Sequence, residues 1–143
     1  MLSNTCKTAI KAVIFLSSKY EREEKYAIKE IADHIEASEH TVGKVLQTLV
    51  KQDVVKSLKG PTGGFFLTKQ QWGQPIINIV EAIDGKQVFK ECGLGLKKCS
   101  EKHPCPIHFQ YKEGREIIEK LFNEKKVSDL SISVTDGLAY LIG

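Results

Sequence analysis

The sequence has no apolar run approaching the roughly 18 residues that a membrane-spanning helix requires. Its first apolar stretch, Ala9 to Leu16, contains Lys11, runs into Ser17-Ser18-Lys19 and has no small-residue cleavage site, so no secretory signal peptide is expected. Net charge is small: 21 basic residues against 18 acidic ones give +3, which by itself points to no partner. Internal repeats, low-complexity tracts and a nucleotide-binding loop are absent. Apart from one cysteine cluster nothing resembles a catalytic constellation, so the chain is not expected to be an enzyme. Arginine is scarce, with Arg22 and Arg115 the two examples. Lysine lacks the planar, bidentate fork of arginine, so the chain's positive charge is carried mostly as point charges.

A hydrophobic share of 41% over 143 residues suffices for a core and is too high for a disordered chain. The length suits one domain, or one small domain plus an extension. The chain is expected in the cytoplasm, where thiols stay reduced and clustered cysteines more often bind metal or sense redox state than form structural disulfides. Charge is placed unevenly. Seven acidic residues lie between Glu21 and Glu39, whereas from Lys44 to Lys69 five lysines accompany Asp53 alone. Such a basic stretch is either a phosphate-contacting surface or a solvated lysine face.

Apolar spacing predicts a first helix from about Ser3 to Tyr20, with Ala9, Val13, Leu16 and Tyr20 on one stripe. A charged loop, Glu21 to Lys25, leads to a second helix, about Ile28 to Ile35. Ser38 is a good N-cap for a third helix bearing Val42, Val45, Leu46 and Leu49. Two short amphipathic helices across a tight turn describe a helix-turn-helix. The other face of the third helix carries His40, Thr41, Lys44, Gln47 and Thr48, side chains suited to base edges or phosphates. Next, Val54 to Leu58 and Phe65 to Thr68 read as strands around the Gly-rich turn Lys59 to Gly64, making a β-hairpin. The glycines serve a tight turn and also let bare backbone approach a phosphate beside Lys56 and Lys59. A further helix within Gln71 to Gly85 ends on Gly85 as C-cap. The last clear helix starts at Pro106 and runs to about Asn123, with Ile107, Tyr111, Gly114, Ile118 and Leu121 forming a seam suited to a partner helix or to the chain's own core. The tail, Val127 to Gly143, carries weak signals.

Between them lie Cys92, Cys99, Cys105 and His108, with six residues between the first two cysteines, five between the next two, and His108 three beyond Cys105. Pro106 suits a first helical position, which would make Cys105 the N-cap, put His108 in the first turn and lower thiolate pKa through the helix dipole. Lys97, Lys98 and Lys102 would offset thiolate charge. Three thiols and an imidazole are a legitimate zinc set. Zinc modules usually hold cysteines in closer pairs, however, and gaps of this size also suit an iron–sulfur cluster; a bare redox thiol set is the third reading. Cys6 reads as a small buried hydrophobe, His103 as a spare ligand, and His34 and His40 as helix-surface residues.

Ile28-Lys29-Glu30-Ile31-Ala32, Lys44-Val45-Leu46-Gln47-Thr48-Leu49, the wing Val55 to Phe65, Ile79-Val80-Glu81-Ala82-Ile83-Asp84-Gly85 and the three cysteines together resemble the Rrf family of winged-helix transcriptional regulators, with its IscR-like and NsrR-like iron–sulfur branches. The resemblance covers nearly the whole chain. It implies that the cysteines ligate an iron–sulfur cluster, and that the protein is a homodimer whose long helices cross near that cluster. Cys105-Pro106-Ile107-His108 is similar to the IscR arrangement, where the histidine completes a [2Fe–2S] site. Other members use an acidic residue or histidine from the partner's first helix, and here that helix has none before Glu21. The resemblance thus favours [2Fe–2S] over [4Fe–4S].

The expected architecture is mainly α with a small β-hairpin wing: a winged helix-turn-helix over 1–85, a cysteine-rich cluster-binding loop over 86–106, and a dimerisation helix and tail over 107–143. The expected function is sequence-specific DNA binding, as a repressor, controlled by a cluster on Cys92, Cys99, Cys105 and His108 that senses iron–sulfur status, redox state or nitric oxide. Ser38, His40, Thr41 and Lys44 are the candidates for base and phosphate contacts, with Lys56, Lys59 and Thr62 on the wing. The alternative is a zinc- or thiol-based redox regulator, or a protein-interaction module without a cluster.

Overall fold

A computed structural model describes the whole chain, Met1–Gly143. Helix α1 spans Asn4–Ser18, and Ser3 caps it by accepting the Cys6 N–H at 3.0 Å. Its second half is buried on nearly every side, from Ala12 through Ser17, because later elements surround it. The expected last turn tightens into a 3₁₀ segment, Tyr20–Arg22, closed by Glu23 at φ 53°.

Helices α2 (Ile28–Ile35) and α3 (Glu39–Lys51) form the expected helix-turn-helix. Glu36 makes the corner in the left-handed region at φ 53°, and the Ala37 N–H returns to the Ala32 carbonyl. Ile31, Ala32 and Ile35 meet Val42, Val45, Leu46 and Leu49 in a single core. Ser38 caps α3, accepting the Thr41 N–H at 3.1 Å.

The wing is shorter than its apolar pattern suggests. Strands β1 (Lys56–Leu58) and β2 (Gly64–Phe66) pair antiparallel, with Ser57 opposite Phe65. Val54 and Val55 do not join β1, because their N–H groups bond the Leu49 carbonyl at 2.9 and 3.3 Å and close the end of α3. Leu67 turns into the core, and Thr68 becomes the cap of α4 (Lys69–Trp72). Tyr26 adds a backbone bridge on the open edge of β2, exchanging two hydrogen bonds with Phe65. That approach requires Gly64, where φ is 140° and a Cβ would lie 2.8–3.0 Å from the Tyr26 backbone.

Helix α5 (Ile77–Asp84) ends on Gly85 as expected, at φ 85°. It packs on α1 and α3, and Asp84 accepts the Ser3 N–H at 2.9 Å. A 3₁₀ turn, Lys86–Phe89, buries Val88 and Phe89 beside Cys6, Ile77 and Val80 in a second small core. Cys6 is fully buried there, in the apolar role its sequence context suggested.

Helix α6 spans His108–Glu124, so Pro106 is not its first residue and Cys105 is not its N-cap. The Cys105 carbonyl instead accepts the His108 N–H at 3.0 Å, closing a turn that uses up Pro106 and leaves Ile107 at the cap. The tail holds a further helix, α7 (Val127–Thr135), laid across α1. Its Val127 belongs to the main core, and the Ser17 hydroxyl donates to Ser131 Oγ at 2.8 Å. Lys125 and Val127 also exchange backbone hydrogen bonds with Ile76 and Gln74, each at 2.9 Å.

Candidate nucleic-acid interface and metal centre

On α3, His40, Lys44 and Gln47 are exposed, while Thr41 and Thr48 are half-buried. The hydroxyls are partly committed. Ser38 both caps the helix and donates to Thr41 Oγ1 at 2.8 Å, and Thr48 donates to the Lys44 carbonyl at 3.2 Å. His40, Lys44 and Gln47 are thus the side chains of this face with no such internal bond. On the wing, Lys59 and Thr62 stand exposed at the tip, where Gly60 takes φ 109°. Lys56 lies lower, paired with Asp53 at 2.9 Å across a solvent-exposed gap, a bond weak enough for a phosphate to displace. Leu58, 52% exposed at the end of β1, was not singled out by the sequence pattern. His34 is exposed as expected, its ring stacked on Phe15 at 4.6 Å.

The cysteine loop leaves the core at Phe89 and returns at α6. Cys92 and Cys105 are buried and Cys99 is half-buried. The Leu94 N–H points at Cys92 Sγ, 3.4 Å away. That N–H and then the Leu96 N–H, followed by the Cys105 thiol and the Gly95 N–H, draw the Cys92 thiol below the ordinary cysteine value, against the opposing effect of burial. Gly93 lies flat on Tyr111 of α6, since a Cβ there would sit 2.7 Å from the ring. Cys99 Sγ stands 3.3 Å from His108 Nδ1 and 3.6 Å from each terminal nitrogen of Arg115. Arg115 is buried and also donates to the Glu91 carbonyl. Lys112 of α6 pairs with Glu101 at 2.5 Å, tying down the far side of the loop.

Of the four expected residues, Cys99 and His108 are in contact, and the Cys105 thiol is one of the groups that draw down the Cys92 thiol. No three His, Cys, Asp or Glu side chains converge as ligands of one metal ion. His103, Lys97, Lys98 and Lys102 are exposed on the loop. The cation beside sulfur is Arg115, which sequence spacing did not reveal, although it falls on the α6 face of His108 and Tyr111 at i+7 and i+4. The donor set, sulfur and imidazole, is of the chemical kind that soft transition metals take, and His108 Nε2 is buried without a hydrogen-bond partner.

The pattern defining the Rrf2 family, described as iron-dependent transcriptional regulator, matches residues 2–132. An HTH-type transcriptional regulator of Aquifex aeolicus (strain VF5) is 32% identical over 132 residues, covering 91% of this chain and 90% of that protein. The HTH-type transcriptional regulator NsrR of Geobacillus kaustophilus (strain HTA426) is 26% identical over 130 residues, covering 90% and 88%. Among solved structures, T. potens IscR superposes with a TM-score of 0.74 at 18% identity, covering 97% of this chain and 91% of that one. CymR, the global cysteine regulator of B. subtilis, superposes with a TM-score of 0.69 at 19% identity, covering 92% and 96%. Both share the winged-helix fold described above. With the family pattern spanning the helix-turn-helix, wing, cysteine loop and α6 together, this chain belongs to the Rrf2 family of transcriptional regulators.

Proposed function

We propose that the protein is a homodimeric, sequence-specific DNA-binding repressor whose affinity for its operator is set by an iron–sulfur cluster held on Cys92, Cys99, Cys105 and His108. The observation that carries this reading is the Cys99–His108 contact, with His108 Nε2 buried and unpartnered and no three donors gathered around one point. A single zinc ion wants its ligands around one point, whereas a [2Fe–2S] cluster takes two ligands at each of two irons, as in sites that mix cysteine and histidine. When bound, the cluster supplies a redox centre open to oxidation, loss or nitrosylation. His108 would offer its unpartnered Nε2 or, by releasing Cys99, its Nδ1; a [4Fe–4S] cluster would instead leave the histidine's place to another ligand. Across the dimer, α6 would present Ile107, Ile117, Ile118 and Leu121, all exposed in one protomer. Ser38, His40, Thr41 and Lys44 would contact the major groove and its flanking phosphates, with Lys56, Lys59 and Thr62 on the adjoining backbone.

Anaerobic purification with a visible spectrum and iron, sulfide and zinc assays tests the centre. Visible absorbance with matching iron and sulfide, changed in His108→Ala, is expected. A colourless protein with stoichiometric zinc, or with neither metal, would replace the cluster by the zinc or thiol reading. In gel-shift assays on promoter fragments, binding should weaken with salt, and Lys44→Ala should flatten the log–log salt slope by about 1.

A further inference from the structure

Arg115 is a buried cation with no carboxylate. It is 6% exposed and takes part in none of the ion pairs of the chain, which join Lys56 to Asp53, Lys112 to Glu101 and Lys120 to Glu124. Its Nε has no partner. A guanidinium out of water needs an anion, and leaving one unpaired is among the costlier features a fold can carry. The Glu91 carbonyl satisfies one N–H without neutralising the charge. The Tyr111 ring, 5.9 Å from the guanidinium carbon, adds a face that attracts a cation but no countercharge. The one group able to carry that countercharge is Cys99, whose sulfur lies 3.6 Å from both terminal nitrogens. A neutral thiol would not compensate it; a metal-ligating thiolate would.

We propose that Arg115 is a positioning residue of the metal centre, clamping the Cys99 thiolate with two N–H···S bonds and holding the centre toward its more negative charge state. The inference rests on the cluster reading above. Three thiolates and a neutral imidazole leave the oxidised centre anionic, and uptake of one electron adds one more negative charge. A fixed positive charge against one ligating sulfur favours that reduced state, and N–H···S bonds act in the same direction. The bond to Glu91 then serves a second purpose, fixing the start of the loop to α6 so that Cys99 stays in register with the guanidinium.

Titration with dithionite as the one-electron donor, followed by visible absorbance under argon, compares wild type with Arg115→Gln and Arg115→Lys. The midpoint should move to a more negative potential in Arg115→Gln and be largely restored in Arg115→Lys, a rescue that packing alone would not give. Equal midpoints in wild-type and Arg115→Gln protein, both with full iron and sulfide, would overturn the role of Arg115 and leave the cluster reading standing. Wild-type protein without iron and sulfide would remove the ground for both. If Arg115→Gln does not fold, resonance Raman spectra of Arg115→Lys decide. Exchange into D₂O should shift its Fe–S stretching bands less than in wild type, because the fork becomes a single ammonium, and an undiminished shift would overturn the proposal.

Discussion

Gly64 brings the wing's backbone against Tyr26, and one methyl group tests that contact. Alanine there must hold φ near 140° with its Cβ 2.8 Å from the Tyr26 carbonyl oxygen. Gly64→Ala should cost about 1–3 kcal/mol, read as a lower urea midpoint with unchanged slope. Cys6 makes a pH prediction. Burial, and secondarily the Asp84 carboxylate, push its thiol from 9.0 up to about 12. The folded state thus favours the protonated thiol, so its contribution to stability is complete below about pH 9 and is lost as pH rises toward 12. Stability measured in urea should fall across that window in wild type and fall less in Cys6→Ala; parallel curves would assign the alkaline loss to other groups. Cys6 as a buried hydrophobe and Ser38 as a cap were legible in the sequence, because each follows from neighbours three or four residues away. Arg115 was not. Its partners, Glu91 and Cys99, arrive from a loop without periodicity, and nothing along the chain announces that a lysine-rich protein has buried one of its two arginines.

Among the elements, α2, α3 and the C-terminal end of α5 follow their apolar spacing and turn residues closely. The departures have local causes. Strand β1 loses Val54 and Val55 because closing α3 takes their N–H groups, and α6 starts two residues after Pro106 because the Cys105–His108 turn comes first. Helix α7 was illegible for a different reason. Its buried face is Val127, Ser128 and Ser131, two of them small polar residues, so no apolar stripe marks it. Those small residues let α7 approach α1, where Ser17 and Ser131 satisfy each other. The contact belongs to the main core, so Val127→Ala should lower unfolding free energy by about 1–3 kcal/mol. An unaffected urea midpoint would mean that α7 is held by its backbone bonds to Gln74 and Ile76 rather than by packing.

For the molecule as a whole, the exposed seam of α6 sets the expected assembly. Ile118 and Leu121 are 38% and 49% exposed on a helix whose adjoining face packs the half-buried Phe122 against the core. In a homodimer joined there, Leu121→Asp should sediment at about half the wild-type mass, since a buried uncompensated carboxylate is not tolerated at such an interface. An unchanged mass would move the interface elsewhere. The seam was legible as a pattern in the sequence; that it faces outward from a single protomer depended on how the loop and α7 hold the helix.

Helix α6 is fastened differently at its two ends. At Lys125 it runs into backbone bonds with Ile76 and the buried Val127, so that end is part of the rigid winged-helix body. At His108 it rests on the cysteine loop, through Cys105, Glu101, Glu91 and Gly93. A helix of 17 residues is about 25 Å long. It is therefore a lever with its fulcrum in the DNA-reading body and its free arm on the sulfur atoms. A displacement of about 1 Å at the cysteines corresponds to about two degrees of tilt of α6 over that length.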